Sequence, residues 1–179
     1  MYCRCDGLAV RGQNATVQPQ RRLAFTGFDN DDGSADPALS KALAEGDQGA
    51  ILAALTKARL LVPVVAMLGE VEYDESGLAH DKTSDMAVAL LQGQDGRNAL
   101  LAFTGTENLT RWSPEARPMP AQTQLVATAA IQEGAAAIVL DIAGPATGVI
   151  ETDDVRRLAA GLQVVRLEDG GYAWIEPAP

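Results

Sequence analysis

The densest group of residues able to do chemistry is a run of acids, DNDDGSAD, at positions 29–36. Carboxylates crowded around a glycine suggest a calcium loop. Such a loop needs oxygen ligands at its positions 1, 3 and 5, glycine at 6 and glutamate at 12. Placing Gly33 at position 6 puts Phe28 at position 1 and Leu39 at position 12, so the register fails and the run reads as a solvated acidic linker. Glu70, Glu72 and Asp74 alternate along one face of an extended strand. Paired carboxylates of this kind can serve acid/base catalysis, but charges on the solvent face of an edge strand are the ordinary arrangement. His80, the lone histidine, has neither a nucleophile elbow nor a catalytic serine in its sequence neighbourhood and reads as a solvated loop residue. Cys3 and Cys5 are the only cysteines, one residue apart, too few for a zinc site and too close for an unstrained disulfide. The glycine-rich GPATG at 144–148 matches neither nucleotide-binding fingerprint. Asp141, just before it at the end of an apolar run, is either a strand-end functional carboxylate or a turn-capping one. The expectation is therefore no catalytic residues, no metal and no cofactor.

A different kind of chemistry is concentrated in FTGTENLTRWSPEARP, residues 103–118. Thr104 and Glu107 have capping-box spacing, which predicts that Thr104 caps a helix and Glu107 reaches back to its amide. Leu109 and Trp112 share a helical face, which presses the indole onto the domain. Arg111, Arg117 and the indole edge are left over, and Trp and Arg are the residues most enriched at binding hot spots. This corner is the expected binding surface, with Lys82 and Asp85 of the HDKTSDM loop as further polar contributors. The reading is a non-enzymatic binding or protein-interaction module. The alternative is a small-metabolite-binding protein or enzyme with a pocket near strand ends, using Lys82, Asp141 or His80.

These residues need a scaffold. Residues 1–36 are polar and aperiodic and read as a disordered tail, with a single domain over 37–179. PALSKALAEG predicts a helix from Pro37 stopped by Gly46, and DQGAILAALTKA a second helix capped by Asp47. RLLVPVVAML is a strand that Pro63 assigns to an edge or a bulge; EVEY extends it and DESGLAHDKTS is a loop. DMAVALLQ and RNALLAFT are strands apolar on both faces, joined at Asp95-Gly96 as a hairpin. AQTQLVATAAIQEG is an amphipathic helix with Leu125, Ala129 and Ile131 inward and Gly134 as its stop. AAAIVLDI is a buried strand, AGPATGVIE turns into a short one, and Thr152 caps DDVRRLAAGL. QVVRLEDGGYAWIEP closes with one or two strands around a Gly-Gly turn. The sum is an α+β (α/β-like) fold: one mixed β-sheet flanked by helices.

Aromatics make up only 4% of the chain, so alanine, leucine and valine must fill the core, which favours close helix-on-sheet packing. A net charge of −10 argues against nucleic acid and against anionic membrane surfaces as partners. No apolar run approaches the roughly 20 residues that span a bilayer, and the N-terminus has no signal-peptide core, so the expected location is the cytoplasm. The partner is an unspecified protein or small molecule. An uncovered edge strand at Pro63 predicts pairing across a two-fold axis, a homodimer.

Three stretches together carry a family resemblance: LLVPVV; DKTSDMAVALLQGQDGRNALLAFTGTENLTRWSPEARPMP; and AIVLDIAGPATGVIETDDVRRLA. The chain resembles the N-terminal domain of SseB-family proteins, in the form common in actinobacteria, over roughly residues 45–165. The hairpin ending in AFTG and the tryptophan corner after it carry the likeness. The resemblance implies an uncharacterised family without accepted catalytic residues, so it carries no active site over to this sequence.

Overall fold

Runs of β-branched and leucine residues build the centre, and alanine-rich helices cover it. The computed structural model describes residues 15–17, 28, 31–66, 72–73, 79–80 and 86–177. In chain order these form β1 (Ala15–Val17), α1 (Pro37–Glu45), α2 (Gln48–Leu55), β2 (Arg59–Ala66), β3 (Glu72–Tyr73), β4 (Ala79–His80) and β5 (Met86–Gln92). There follow β6 (Asn98–Ala102), α3 (Thr106–Trp112), β7 (Arg117–Gln122), α4 (Thr123–Gln132), β8 (Ala137–Leu140), β9 (Gly148–Glu151), α5 (Thr152–Ala159), β10 (Gln163–Arg166) and β11 (Tyr172–Ile175). The main sheet runs β7-β2-β5-β6-β8-β9, with β1 also paired to β5. Among the described strands only β6 and β8 pair in parallel; the other pairings are antiparallel, so the fold is α+β with a mixed sheet.

The expected hairpin is present, with Leu90 opposite Leu100 and a turn closed by Gly93 N–H to the Arg97 carbonyl at 2.8 Å. The first two helices start where the sequence places them. The Asp36 carboxylate accepts from the Leu39 amide at 2.9 Å, and that of Asp47 from the Ala50 amide at 3.0 Å. Each satisfies an amide that the helix itself cannot.

The two faces of the sheet are packed differently. Leu60, Val62, Val88, Leu90, Leu100, Ala102, Ile138 and Leu140 join Leu39, Leu43, Ile51, Leu55, Val126, Val155 and Leu158 of the helices in one large cluster. The other face gathers Leu61, Ala89, Leu101, Phe103 and Val139 with Leu109, and with Trp112 at its margin, from α3. A two-stranded ribbon of β10 and β11 leans on α2. There Tyr172 lies so close to Gly49 that a Cβ would come within 2.0 Å of its ring.

Several expectations are corrected. Pro63 does not mark an edge: β2 lies inside the sheet, between β7 and β5. Leu61 exchanges both backbone hydrogen bonds with Phe103, at 2.8 Å each, so it is Leu60, Val62 and Val64 that face β7, opposite Ala121, Met119 and Arg117. Pro63, Pro118 and Pro120 all fall at the alternate positions, where the β2–β7 ladder asks for no donor. β4 occupies residues read as loop, and its His80 is a strand residue opposite Glu72 of β3. Glu70 and Asp74 lie outside the described residues. In α4, Leu125 and Ile131 are 42% and 46% exposed, and the buried face is Thr123, Val126, Ala127, Ala129 and Ala130. A face of small residues brings α4 closer to the sheet and α5 than leucine and isoleucine would allow. Thr152 does not cap α5 either; its hydroxyl donates to the Ala136 carbonyl at 2.5 Å, and the N-cap is Glu151.

Candidate functional site

The parallel pair β6 and β8 ends at one border of the sheet, delivering Phe103-Thr104 and Asp141 side by side. Asp141 is 2% exposed and has a φ of 51°, left-handed for a residue that is not glycine. Both its carboxylate oxygens are used. The Thr104 amide donates to Oδ1 at 2.9 Å and the Thr104 hydroxyl to Oδ2 at 2.7 Å. Behind it, the Gly144 amide and the Thr147 hydroxyl donate to the Asp141 carbonyl at 2.8 and 3.1 Å. The Asp141 turn and α3 meet at Gly144, where a Cβ would lie 3.1 Å from Asn108 Cγ. Burial pushes the Asp141 carboxyl above the ordinary aspartate value of 3.8, against the lowering effect of hydrogen bonds from Thr104 and Asn108. Of the two roles the sequence left open, the geometry is that of a turn-holding aspartate.

This arrangement displaces the expected capping box. Helix α3 has Gly105 as its N-cap with no side-chain cap bond, because Thr104's hydroxyl and amide are both taken by Asp141. Glu107 turns outward instead and accepts from Arg111 at 2.6 Å, an exposed i,i+4 pair.

A second anchor holds Thr104 from the opposite direction. Arg59, at the head of β2, donates through Nη1 to the Thr104 carbonyl at 2.5 Å. Its Nε and Nη2 form a two-point pair with Asp31, and Nη2 also reaches the Ser34 carbonyl at 2.6 Å. Both partners of this pair are only 13% exposed. The hydrogen bonds from Arg59 hold the Asp31 carboxyl below 3.8, against the raising effect of burial. Residues 31–36 are thus no free linker but a strap across the corner. The Thr106 amide donates to the Gly33 carbonyl at 2.8 Å. Gly33, with φ of 76°, lies where a Cβ would come within 2.2 Å of the Thr106 hydroxyl, and Gly105 where one would be 3.0 Å from the Ala35 nitrogen. The positive φ at Gly33 and the close backbone approach at Gly105 both favour glycine.

Of the residues expected to bind, Trp112 is half-buried, its ring 5.6 Å from that of Phe103. Arg111 and Arg117 are exposed, the first at the end of α3 and the second at the start of β7. These three therefore share one segment, α3 to β7. Lys82 and Asp85 lie outside the described residues. Sequence reasoning missed Arg59, Asp31 and Asn108. The available signal was a charge opening an otherwise apolar strand, RLLVPVV, which requires a partner when the strand is internal. Among the described residues no group of three metal-binding side chains occurs, and no helix is long and apolar enough to cross a membrane.

A mixed α+β domain whose parallel strand ends are fixed by an internal polar clamp is the class this geometry defines. The family model for the SseB protein N-terminal domain matches residues 36–157, well over half the chain. The chain belongs to that family. No curated protein and no solved structure matches it.

Proposed function

We propose that this domain is a non-enzymatic binding module in which the α3–β7 corner contacts a protein or small-molecule partner. Trp112, Arg111 and Arg117 are the contact residues of this reading, with Lys82 and Asp85 as further polar contributors. The observation that carries it is a division of labour within one corner. The buried polar groups, Thr104 and Asp141, spend their hydrogen bonds on each other, whereas Arg111 and Arg117 are exposed and Trp112 is half-buried. A carboxylate with both oxygens engaged by one residue is a poor acid or base for a substrate. An aromatic anchored on the core and flanked by arginines is the usual composition of an interface hot spot. The proposal includes a cytoplasmic location and a homodimer joined along β9.

Native mass spectrometry on protein purified gently from its own host tests the reading. A bound mass lost in Arg111→Ala or Arg117→Ala is the expected result, and both variants leave the clamp intact. Protein that arrives bare, or that keeps its bound mass in both variants, removes this corner as the binding surface.

A further inference from the structure

We propose that Arg59 and the backbone of residues 104–106 form a docking site for an acidic turn of the pattern Asp-x-Gly-Ser, which residues 31–34 occupy in cis as an autoinhibitory strap. The site uses Arg59 and the Thr106 amide and none of Trp112, Arg111 and Arg117, so the two proposals can fail separately. Its donors belong to the family domain: Arg59 and Thr106 lie within the matched residues 36–157, and the strap before Asp36 lies outside them. The strap supplies only what such a site recognises. Asp31 gives a carboxylate to Nε and Nη2 of Arg59, Ser34 a carbonyl to Nη2, and Gly33 a carbonyl to the Thr106 amide. The turn is pre-formed by the Gly33 amide donating to Asp31 Oδ1 at 2.8 Å, and Ser34 bonds back to Asp32 through both amide and hydroxyl. Gly33 is required because a side chain there would meet Thr106. A planar guanidinium fits a carboxylate at two points, and the two main-chain contacts fix the direction of the bound segment.

The strap is held chiefly by polar contacts, with the Asp31 side chain itself only 13% exposed. None of residues 31–35 belongs to either apolar cluster of the described core. A segment fixed in this way opens at lower free energy than one that contributes to the core. Being tethered, it acts at an effective concentration in the millimolar range, so a partner bearing the same turn binds only when the strap is weakened or outcompeted.

The test uses the full chain, 15N-labelled, as wild type and as Asp31→Ala. Each is titrated with the hexapeptide of residues 31–36, Asp-Asp-Gly-Ser-Ala-Asp, to about 10 mM, a ceiling set by the effective concentration to be matched. In Asp31→Ala the Arg59 Nε–H and Thr106 amide signals should move and saturate, with an affinity about tenfold or more above that for wild type. Peptides with asparagine for the first aspartate, or alanine for the glycine, should not reproduce the shift. The proposal is overturned if the native peptide moves neither signal, if wild type responds equally, or if the control peptides bind as well. Should Asp31→Ala not fold, the titration is run on Asp31→Asn. If neither variant folds, the strap is an integral part of the fold and the site is not exchangeable.

Discussion

Asp31 and Asp141 hold the same threonine from opposite sides by opposite physics. Asp31, in the strap, is opposed by a guanidinium; the pair reaches Thr104 through its carbonyl, and the charged carboxylate is favoured. Asp141, at the end of β8, is deeper and is given hydrogen bonds from Thr104 but no cation, and burial disfavours its charge. The difference separates two ways of fixing a corner. The paired carboxylate is held by a cation brought from β2, whereas the buried hydrogen-bonded carboxyl without a cation belongs to the strand ends themselves.

The largest test of this contrast is Asp141→Ala. It leaves two buried donors of Thr104 without acceptors, at about 1–3 kcal/mol each, while relieving the cost of burying the carboxyl. A net loss of about 3 kcal/mol is expected in urea unfolding. Asp141→Asn tolerates the left-handed backbone and keeps one acceptor, so it should lose only about 1–2 kcal/mol. Asp31→Ala should cost about 2 kcal/mol, the loss of a charged hydrogen-bonded pair, and because both partners are only 13% exposed the deficit should change little in high salt. A deficit that vanishes in salt would mean the pair is open to solvent.

The pH dependence should have opposite signs at the two aspartates. Asp31's lowered carboxyl contributes stability that is complete above 3.8 and is lost as pH falls through its folded value. Asp141's raised carboxyl contributes most below 3.8, and that contribution is lost as pH rises through its folded value. Relative to its own asparagine variant, wild type should therefore lose ground on acidification at position 31 and gain it at position 141. Matching signs in the two denaturation series would remove the contrast. The smallest effect belongs to Arg111→Ala, which breaks only an exposed i,i+4 pair with Glu107, worth about 0.3–0.5 kcal/mol. A thermal midpoint shifted as far as that of Asp31→Ala would tie Arg111 to the clamp.

What the sequence made legible follows the same division. Local signals were readable: the Asp95-Gly96 hairpin, the Asp47 cap, the start at Pro37 and the mixed sheet with helices over it. Long-range competition was not. Thr104 and Glu107 have ideal capping spacing, yet a carboxylate 37 residues away takes the threonine. The phase of α4 was missed because hydrophobicity weights leucine and isoleucine over alanine, and close packing prefers the reverse. Pro63 read as an edge or a bulge because proline lacks a donor; its nitrogen points away from β7, and on the other side of β2 the pairing with β5 begins only at Val64. The strap looked like solvated acid because its cation lies 28 residues further along.

The proline spacing across β2 and β7 also limits how the sheet can grow. At the outer border of β7, Pro118 and Pro120 leave carbonyls without amides, so a second chain cannot build a regular ladder there. Among the described strands, the six-strand path ends at β7 and β9, and of these two borders β9 is the one without proline. A sheet with two such borders can add copies head to tail without limit. A path with one such border would pair two copies through that same border, closing the assembly instead of propagating it into a filament.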